Sequence, residues 1–248
     1  FAGDTASTPL AGGIVLKDGQ KLHGEGIGLS VPGFANIVAA GSQPRINNGA
    51  GDAVSVPATS GNRNLVEIRG LDLQASGNAV DVTASGTNAV GITISDNTLS
   101  GAGLEGIDLN AGSTVLFTAS VQNNAIVSTG NGIDARTSAA GLLQVNLSSN
   151  GVISSSNGIV VDGSGGGSTH ITGFFNNSVS GVALGTGIAV TSATFDTAPG
   201  GAFQTVLGGN TAVGIDCAES VRVLGPWRVD AQEAQEQRQR SCAPRACR

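Results

Sequence analysis

The chain repeats one short phrase, a small residue followed by an aliphatic residue and an alternating pair: Gly26-Ile27-Gly28-Leu29, Ala53-Val54-Ser55-Val56, Ala79-Val80-Asp81-Val82, Gly106-Ile107-Asp108-Leu109, Gly132-Ile133-Asp134-Ala135, Gly158-Ile159-Val160-Val161 and Gly187-Ile188-Ala189-Val190. The aliphatic members stand at positions 27, 54, 80, 107, 133, 159 and 188, so the steps between them are 27, 26, 27, 26, 26 and 29. A fixed period in this range is typical of stacked repeats that share a continuous core. We therefore predict one elongated domain.

The residue types between these copies favour short strands joined by tight turns. Gly accounts for 39 of the 248 residues, and aromatic residues account for 3%. Val, Ile and Thr favour strands and Gly and Asn favour turns, whereas helical repeats need good helix formers. An apolar content of 40% with regular spacing argues against disorder. The predicted fold class is all-β, a right-handed parallel β-helix (solenoid) of about eight coils with about 26 residues per coil.

Residues 89–109 show which side chains should face the core. Alternation sends every second side chain of a strand to one face. The expected inward residues are Ile92, Ile94, Leu99, Ile107 and Leu109, and the expected outward residues are Thr93, Ser95 and Asp108. The same spacing predicts two stacked columns: Leu99, Ile126, Val152 and Val179, and Phe174 above Leu147 and Val121.

A column of asparagines follows the predicted strands. Asn97, Asn124, Asn150 and Asn177 recur at nearly the same interval as the aliphatic members of the phrase. If they point inward, their amides can form a ladder of hydrogen bonds from coil to coil. The alternative is that Asn is present because it tolerates a left-handed turn conformation.

The repeat predicts a β-helix over residues 1–217 and an atypical tail over residues 218–248. Residues 12–28, with a turn at Asp18-Gly19, supply an early coil. After an insertion with a turn at Pro199-Gly200-Gly201, a further coil begins at residues 210–215. The polar, helix-prone run 230–240 could be a cap, a frayed tail, a cloning artefact or an out-of-frame terminus. Val221, Val223, Leu224 and Trp227 could cover the last coil, and a bare end could drive self-association.

Charge and cysteine content limit the classes of function. Residues 1–216 carry 6 basic and 14 acidic side chains, and residues 217–248 carry 6 basic and 4 acidic ones. Since phosphate contacts need a basic surface, the acidic body argues against nucleic-acid binding. We expect no membrane insertion of this segment and no signal peptide, and the start at Phe1 indicates a processed form or a fragment. Cys217, Cys242 and Cys247 are odd in number, with a Cys242–Cys247 disulfide as one alternative.

The coils resemble those of the pectin-lyase-like right-handed β-helix superfamily, above all the β-helix passengers of secreted bacterial surface proteins and autotransporters. The segment Leu16-Lys17-Asp18-Gly19-Gln20-Lys21-Leu22-His23-Gly24-Glu25-Gly26 and the Ile-Ser-Asp-Asn-Thr-Leu type of coil carry the resemblance, which covers residues 14–217. It implies the fold and a secreted or cell-surface location. It implies no single activity, because the fold occurs in enzymes, adhesins and tailspikes.

Acidic residues are the strongest candidates for chemistry. Asp81, Asp108 and Asp134 occupy equivalent positions on three successive coils, and Arg136 should lie on the same face as Asp134. Carboxylates stacked about 4.8 Å apart repel one another unless something relieves them. Solvent exposure would make them a polar face, a calcium ion would make them a metal site, and a shared proton would suit general acid–base catalysis.

The resemblance offers a sharper test for enzymes, and most of their motifs are missing from this sequence. The polygalacturonase-type set combines an Asn-Thr-Asp segment, an Asp-Asp pair, a His-Gly pair and an Arg-Ile-Lys segment. Here only His23-Gly24 matches, and Asp134 with Arg136 only faintly resembles a pectate-lyase site. His170 is expected to be a turn residue. Asn146-Leu147-Ser148 matches an N-glycosylation motif that a bacterial surface protein would usually not use.

The sequence therefore favours a non-enzymatic structural or adhesive passenger or stalk of a secreted or surface-exposed bacterial protein. The candidate partner is a surface glycan or a protein, and no cofactor or metal is expected. The alternative is a carbohydrate-active lyase or glycoside hydrolase acting on an acidic polysaccharide. In that case Asp81, Asp108, Asp134 and Arg136 would be its catalytic residues.

Overall fold

A computed structural model describes residues 8–28, 39–114, 116–138, 140–182, 185–196, 210–212, 215–217 and 222–224. These residues form three eight-stranded parallel sheets. The described part contains one helical element, the 3-10 helix Glu25–Ile27. The predicted all-β parallel β-helix is confirmed. Each coil contributes one strand to each sheet in turn, and neighbouring coils pair at the predicted interval in the central part, as between Ile133 and Ile107 or Ile107 and Val80.

Sheet 1 contains β1 Leu10–Ala11, β4 Arg45–Asn48, β7 Asp72–Ala75, β10 Thr98–Ala102, β13 Ala125–Ser128, β16 Gly151–Ser154, β19 Ser178–Ser180 and β22 Thr211–Ala212. Its inward residues include the predicted column Leu99, Ile126, Val152 and Val179, which is paired residue to residue. All four side chains are buried. The strand pairing therefore continues the stacking that the sequence spacing predicted.

Sheet 2 contains β2 Ile14–Val15, β5 Val54–Ala58, β8 Val80–Gly86, β11 Ile107–Ser113, β14 Ile133–Thr137, β17 Ile159–Asp162, β20 Ile188–Thr191 and β23 Ile215–Cys217. The repeated aliphatic residues from Val54 to Ile188 form one buried column along this sheet.

Sheet 3 contains β3 Lys21–His23, β6 Arg63–Arg69, β9 Val90–Ser95, β12 Leu116–Gln122, β15 Leu142–Ser148, β18 Ser168–Phe175, β21 Ala193–Asp196 and β24 Arg222–Leu224. Phe174 pairs with Leu147, and Leu147 pairs with Val121, as predicted. The end coils have strands of two or three residues, and six fuller coils from β4 to β21 lie between them.

The first coil departs from the predicted register. Ile14 pairs with Val54 and occupies the position that the spacing assigned to Ile27. Ile27 lies instead in the 3-10 helix. The backbone at Gly24 approaches Gly70 so closely that a Cβ on Gly24 would lie 2.1 Å from the Gly70 carbonyl oxygen. Ile27 lies between β3 of sheet 3 and β4 of sheet 1, a part of the coil that does not enter sheet 2, so the prediction for Ile27 was wrong.

The asparagine column forms a continuous ladder. Asn97, Asn124, Asn150 and Asn177 each donate from Nδ2 to Oδ1 of the next member, ending at Asn210, over 3.1, 3.0, 3.0 and 2.9 Å. The first four members are at most 2% exposed. Each Nδ2 also donates to a backbone carbonyl, in order that of Ile68, Ile94, Val121, Leu147 and Phe174. The ladder interpretation is confirmed, and each buried amide has hydrogen-bond partners.

The left-handed turn conformation belongs to the residues just before the ladder. Asp96, Asn123, Ser149 and Asn176 have φ between 54° and 58°. Asn and Asp tolerate this conformation better than most residues, and their side chains remain outside the core. The two explanations for asparagine at this corner therefore apply to adjacent positions.

A second, broken ladder follows the strands of sheet 1 and was not predicted. Asn157 donates from Nδ2 to Oδ1 of Asn131 at 3.0 Å, and the backbone N–H of Thr186 donates to Oδ1 of Asn157 at 2.8 Å. Earlier in the chain, the backbone N–H of Glu105 donates to Oδ1 of Asn78 at 3.0 Å. Because Glu105 interrupts the run of asparagines, the sequence shows this column less clearly.

Beyond residue 196 the structure describes Asn210 and three short strands. Thr211–Ala212 and Ile215–Cys217 continue sheets 1 and 2, as the predicted further coil requires, and Arg222–Leu224, within the predicted tail, continues sheet 3. The turn at residues 199–201, the polar run 230–240, Trp227, Cys242 and Cys247 lie outside the described residues. Within the described part, no helix is long and apolar enough to cross a membrane.

Candidate functional site

The acidic column, which we define as Asp81, Asp108 and Asp134, lies on the outer face of sheet 2. Asp108 pairs in register with Asp81 on one side and with Asp134 on the other. Neighbouring strands in a sheet lie about 4.8 Å apart, so these three side chains leave the sheet side by side. The structure therefore brings together the three acids that the sequence spacing aligned.

Arg136 links two of these acids. Its Nη1 donates to Oδ2 of Asp134 at 2.7 Å, and its Nη2 donates to Oδ2 of Asp108 at 2.9 Å. The Arg136 side chain is 37% exposed, whereas those of Asp108 and Asp134 are 10% and 9% exposed. One guanidinium thus covers two carboxylates on adjacent coils, and Asn131 Nδ2 donates to the same Asp134 oxygen at 3.0 Å.

The burial of this pair corrects the simplest sequence interpretation. A solvated polar face was expected, yet Asp108 and Asp134 are buried, while Asp81 is half-buried. Ser95, also expected to be outward, is buried as well. Alternation predicts the face on which a side chain leaves the strand. It does not predict whether a neighbouring coil covers that side chain.

Burial changes the proton affinity of the acids. It raises the pKa of Asp108 to about 7; the charge of Arg136 opposes the shift, and the charges of Asp134, Asp81 and Glu105 add to it. Burial likewise raises the pKa of Asp134 against the opposing charge of Arg136. Burial and the charge of Asp52 raise the pKa of Asp81. One guanidinium shared between two buried carboxylates does not offset their loss of hydration.

The Asp108 carboxyl has two different oxygens. Oδ2 accepts from Arg136, while Oδ1 is buried and receives no hydrogen bond from the described residues. Such an oxygen carries negative charge unfavourably, which agrees with the raised pKa. A carboxyl group that titrates near neutral pH can serve as a general acid or base where a substrate reaches it. Across the described residues, no three His, Cys, Asp or Glu side chains are grouped to hold a metal ion.

A second charged cluster, on the outer face of sheet 3, contains the histidine of the His-Gly pair. Glu67 pairs with Lys21 at 3.1 Å, with His23 at 3.2 Å and with Arg69 at 3.1 Å. Burial alone would raise the pKa of Glu67, but the hydrogen bonds from Lys21 and Arg69 and the charge of His23 lower it. His23 thus lies beside Glu67 in a cluster that Lys21 and Arg69 connect by ion pairs. His170, expected in a turn, lies instead in β18 and pairs in register with Gln144.

A third polar cluster, on the outer face of sheet 1, was not found from the sequence. Arg45 Nε donates to Oδ2 of Asp72 at 2.6 Å, Ser100 Oγ donates to Oδ1 of Asp72 at 3.1 Å, and Gln74 Nε2 donates to Ser100 Oγ at 3.1 Å. An open groove of about 400 Å³ lies over Gln74 and Ser100. The one-coil separation of Gln74 and Ser100 in sequence was the available signal, but neither residue type stands out in this sequence.

Comparison of the chain with protein-family models, with curated proteins and with solved structures finds no match.

Proposed function

We propose that this chain is a structural or adhesive passenger or stalk of a secreted or surface-exposed bacterial protein, related to the pectin-lyase-like β-helices. The asparagine ladder is the observation that carries the proposal. It joins five successive coils through asparagine amides, the first four of them buried, so each coil is linked to the next by side-chain as well as backbone hydrogen bonds. A fully satisfied buried network rigidifies the structure that contains it.

The ion pairs of the acidic column support the same proposal. Arg136, in β14, forms an ion pair with Asp108 of β11 and a second ion pair with Asp134 within its own strand. The Arg136–Asp108 pair adds to the axial connection that the ladder provides. Asp108 and Asp134, whose pKa values are raised by burial, are thus also held by ion pairs to Arg136.

The alternative activity, cleavage of an acidic polysaccharide, is supported by one observation. Asp108 has a pKa of about 7, and Arg136 beside it carries a positive charge at the surface. In that case Asp108 would transfer the proton, Arg136 would bind a substrate carboxylate, and Asp81 and Asp134 would tune Asp108.

Two measurements test the proposed function. The full chain is incubated with polygalacturonate between pH 5 and pH 9, and new reducing ends and unsaturated products are followed. A structural role predicts no turnover. Turnover that is lost in Asp108→Asn and in Asp134→Asn, while both variants keep the strand-type circular dichroism spectrum of the wild type, would establish the enzyme instead. Fractionation of the source cells with an antibody against the chain should find it on the cell surface or in the medium, and a wholly cytoplasmic chain would contradict the proposed location.

A further inference from the structure

The groove on sheet 1 presents neutral hydrogen-bonding groups in a row. Asn47 pairs in register with Gln74, and Gln74 bonds to Ser100 on the next coil. The row therefore runs along the solenoid axis, with a spacing of about 4.8 Å between its members. Gly49, Ser76 and Gly101 form the rim beside it.

A bulge in β10 shapes the floor of this groove. Leu99 pairs with Ile126, but Ala102 pairs with Ser128, so β10 contains one extra residue at Ser100–Gly101. Bulges redirect side chains, and Gly101 has φ of 66°. Ser100 is thereby held between the Gln74 amide and the Asp72 carboxylate. Its position is fixed before any ligand arrives, which lowers the entropic cost of binding.

The charges near the groove are already paired. Asp72 is bonded to Arg45 at 2.6 Å and accepts from Ser100. Residues 1–216, which contain the coils around the groove, carry 14 acidic and 6 basic side chains. A polyanion approaching this face would be repelled by the field of the body. The groove therefore suits an uncharged ligand.

Apolar side chains continue the row beyond the groove. Val127 and Ile153, on the next two coils, are 46% and 50% exposed and pair with each other in register. Hydroxyl-binding amides followed by exposed aliphatic surface fit a ligand that has both hydroxyl groups and C–H faces. The strands beneath this row, β4 to β16, are paired on both sides, so an extended peptide finds no free edge at the groove to which it could add.

We propose that this groove, with Asn47, Gln74 and Ser100 as its polar contacts and Val127 and Ile153 as its apolar extension, binds a neutral glycan chain lying along the solenoid axis. The inference rests on the adhesive form of the proposed function and specifies its ligand class. The side-chain amides of Asn47 and Gln74 exchange hydrogen bonds with sugar hydroxyls, and the aliphatic side chains contact the apolar face of a ring.

Affinity electrophoresis of the full chain tests this inference, with dextran, mannan, galactan or polygalacturonate cast in the gel. At least one neutral polysaccharide should retard the protein. Gln74→Leu should weaken the retardation about tenfold, the effect expected from one lost hydrogen bond to a ligand. Gly49→Gln should block the groove, because a Cβ at Gly49 meets no atom within 4 Å and the new side chain enters the groove space without a clash.

Matched substitutions on sheet 3 control for folding. Gln144→Leu and Gly91→Gln make the same changes on the outer face of β15 and β9, and they should leave both retardation and thermal unfolding unchanged. The proposal is overturned if no neutral polysaccharide retards the chain, if only polygalacturonate does, or if the sheet 1 and sheet 3 variants behave alike. The proposal is also overturned if the full chain selects binding peptides from a displayed library and Gln74→Leu abolishes that peptide binding.

The outcomes separate this inference from the function on which it rests. A chain that binds none of these glycans and cleaves no polygalacturonate retains a structural role without the groove ligand. Cleavage of polygalacturonate would contradict the proposed structural role, whatever the groove binds.

Discussion

Nδ2 of Asn124 donates to Oδ1 of Asn150 at 3.0 Å, and the backbone N–H of Asn124 donates to the same oxygen at 3.2 Å. From Asn124 onwards, the Oδ1 atom of each ladder residue therefore accepts from both the side-chain amide and the backbone N–H of the preceding ladder residue. Asn150 is 1% exposed, so water cannot replace these bonds without entry into the core. Backbone pairing holds the sheets together, and the ladder fixes the corner between sheet 3 and sheet 1.

Asn150→Ala should therefore destabilise the fold by about 3 kcal/mol, because it removes four hydrogen bonds and leaves buried polar groups without partners. Urea denaturation followed by circular dichroism measures the change. Asn47→Ala, at an exposed residue, is the control and should change stability by less than about 0.5 kcal/mol. Equal effects of the two substitutions would contradict the structural role of the ladder.

Gly132 explains why a small residue precedes the aliphatic residue in the repeated phrase. A Cβ at this position would lie 2.0 Å from Cγ1 of Val152 and 2.6 Å from the Gly158 carbonyl oxygen. Gly132→Ala should cost about 2 kcal/mol through overpacking. Gly151→Ala is the matched control, because a Cβ there meets no atom within 4 Å. A Gly132→Ala variant as stable as the wild type in thermal denaturation would refute this packing.

Much of the fold could be predicted because stacking in a solenoid repeats the same distance in sequence. That recurring interval placed Val80, Ile107, Ile133 and Ile159 in one column without further information. The first coil could not be placed in this way. Ile27 has the same local phrase as the others, but it follows a strand that pairs with Glu67–Arg69 in sheet 3, a pairing between segments distant in sequence.

The sequence predicted where the residues of the candidate site lie, but it did not predict that Asp108 and Asp134 are buried and ion-paired. The spacing aligned Asp81, Asp108 and Asp134, and alternation placed Arg136 on their face. The burial of Asp108 depends on the side-chain conformation of Arg136, which reaches across to the neighbouring strand. A pattern of residue types contains no signal for that conformation.

Arg136→Met should lower the free energy of unfolding, because it leaves two adjacent buried carboxylates without their cation. At pH 8 we expect a loss of about 2 kcal/mol, below the usual value for a broken buried pair because Arg136 is partly exposed. The loss should be smaller at pH 5, where Asp108 is protonated, and smaller in the double variant Arg136→Met/Asp108→Asn. Urea denaturation at both pH values measures it. An equal loss at both values would show that Arg136 acts through packing alone.

The raised pKa of Asp108 predicts how stability changes with pH. An acid whose pKa is higher in the folded state binds more protons there, so its contribution to stability is full below the unfolded pKa near 3.8 and is lost as the pH rises towards 7. Asp81 and Asp134 act in the same direction, whereas Glu67, with its lowered pKa, acts in the opposite direction below about pH 4.5.

The wild type should therefore gain stability between pH 8 and pH 5, by up to a few kcal/mol. Asp108→Asn should remove most of that gain, as should be seen in denaturation curves recorded at intervals of one pH unit. Ser55→Ala, at a residue that pairs in register with Asp81 and has no titratable group, is the control and should leave the gain unchanged. Parallel pH profiles for wild type and Asp108→Asn would contradict the raised pKa.

Removal of one whole coil tests most directly whether the coils are equivalent, in-register structural units. Deletion of residues 151–177 joins Asn150 to Ser178, the residue that pairs with Gly151, and places Asn150 against Asn210. We predict a strand-type circular dichroism spectrum and a single cooperative urea transition, with an m-value lower by about a tenth. Deletion of residues 151–163 removes about half a coil, destroys the register and should prevent folding. If the whole-coil deletion unfolds the chain, or if both deletions fold equally well, the account is contradicted.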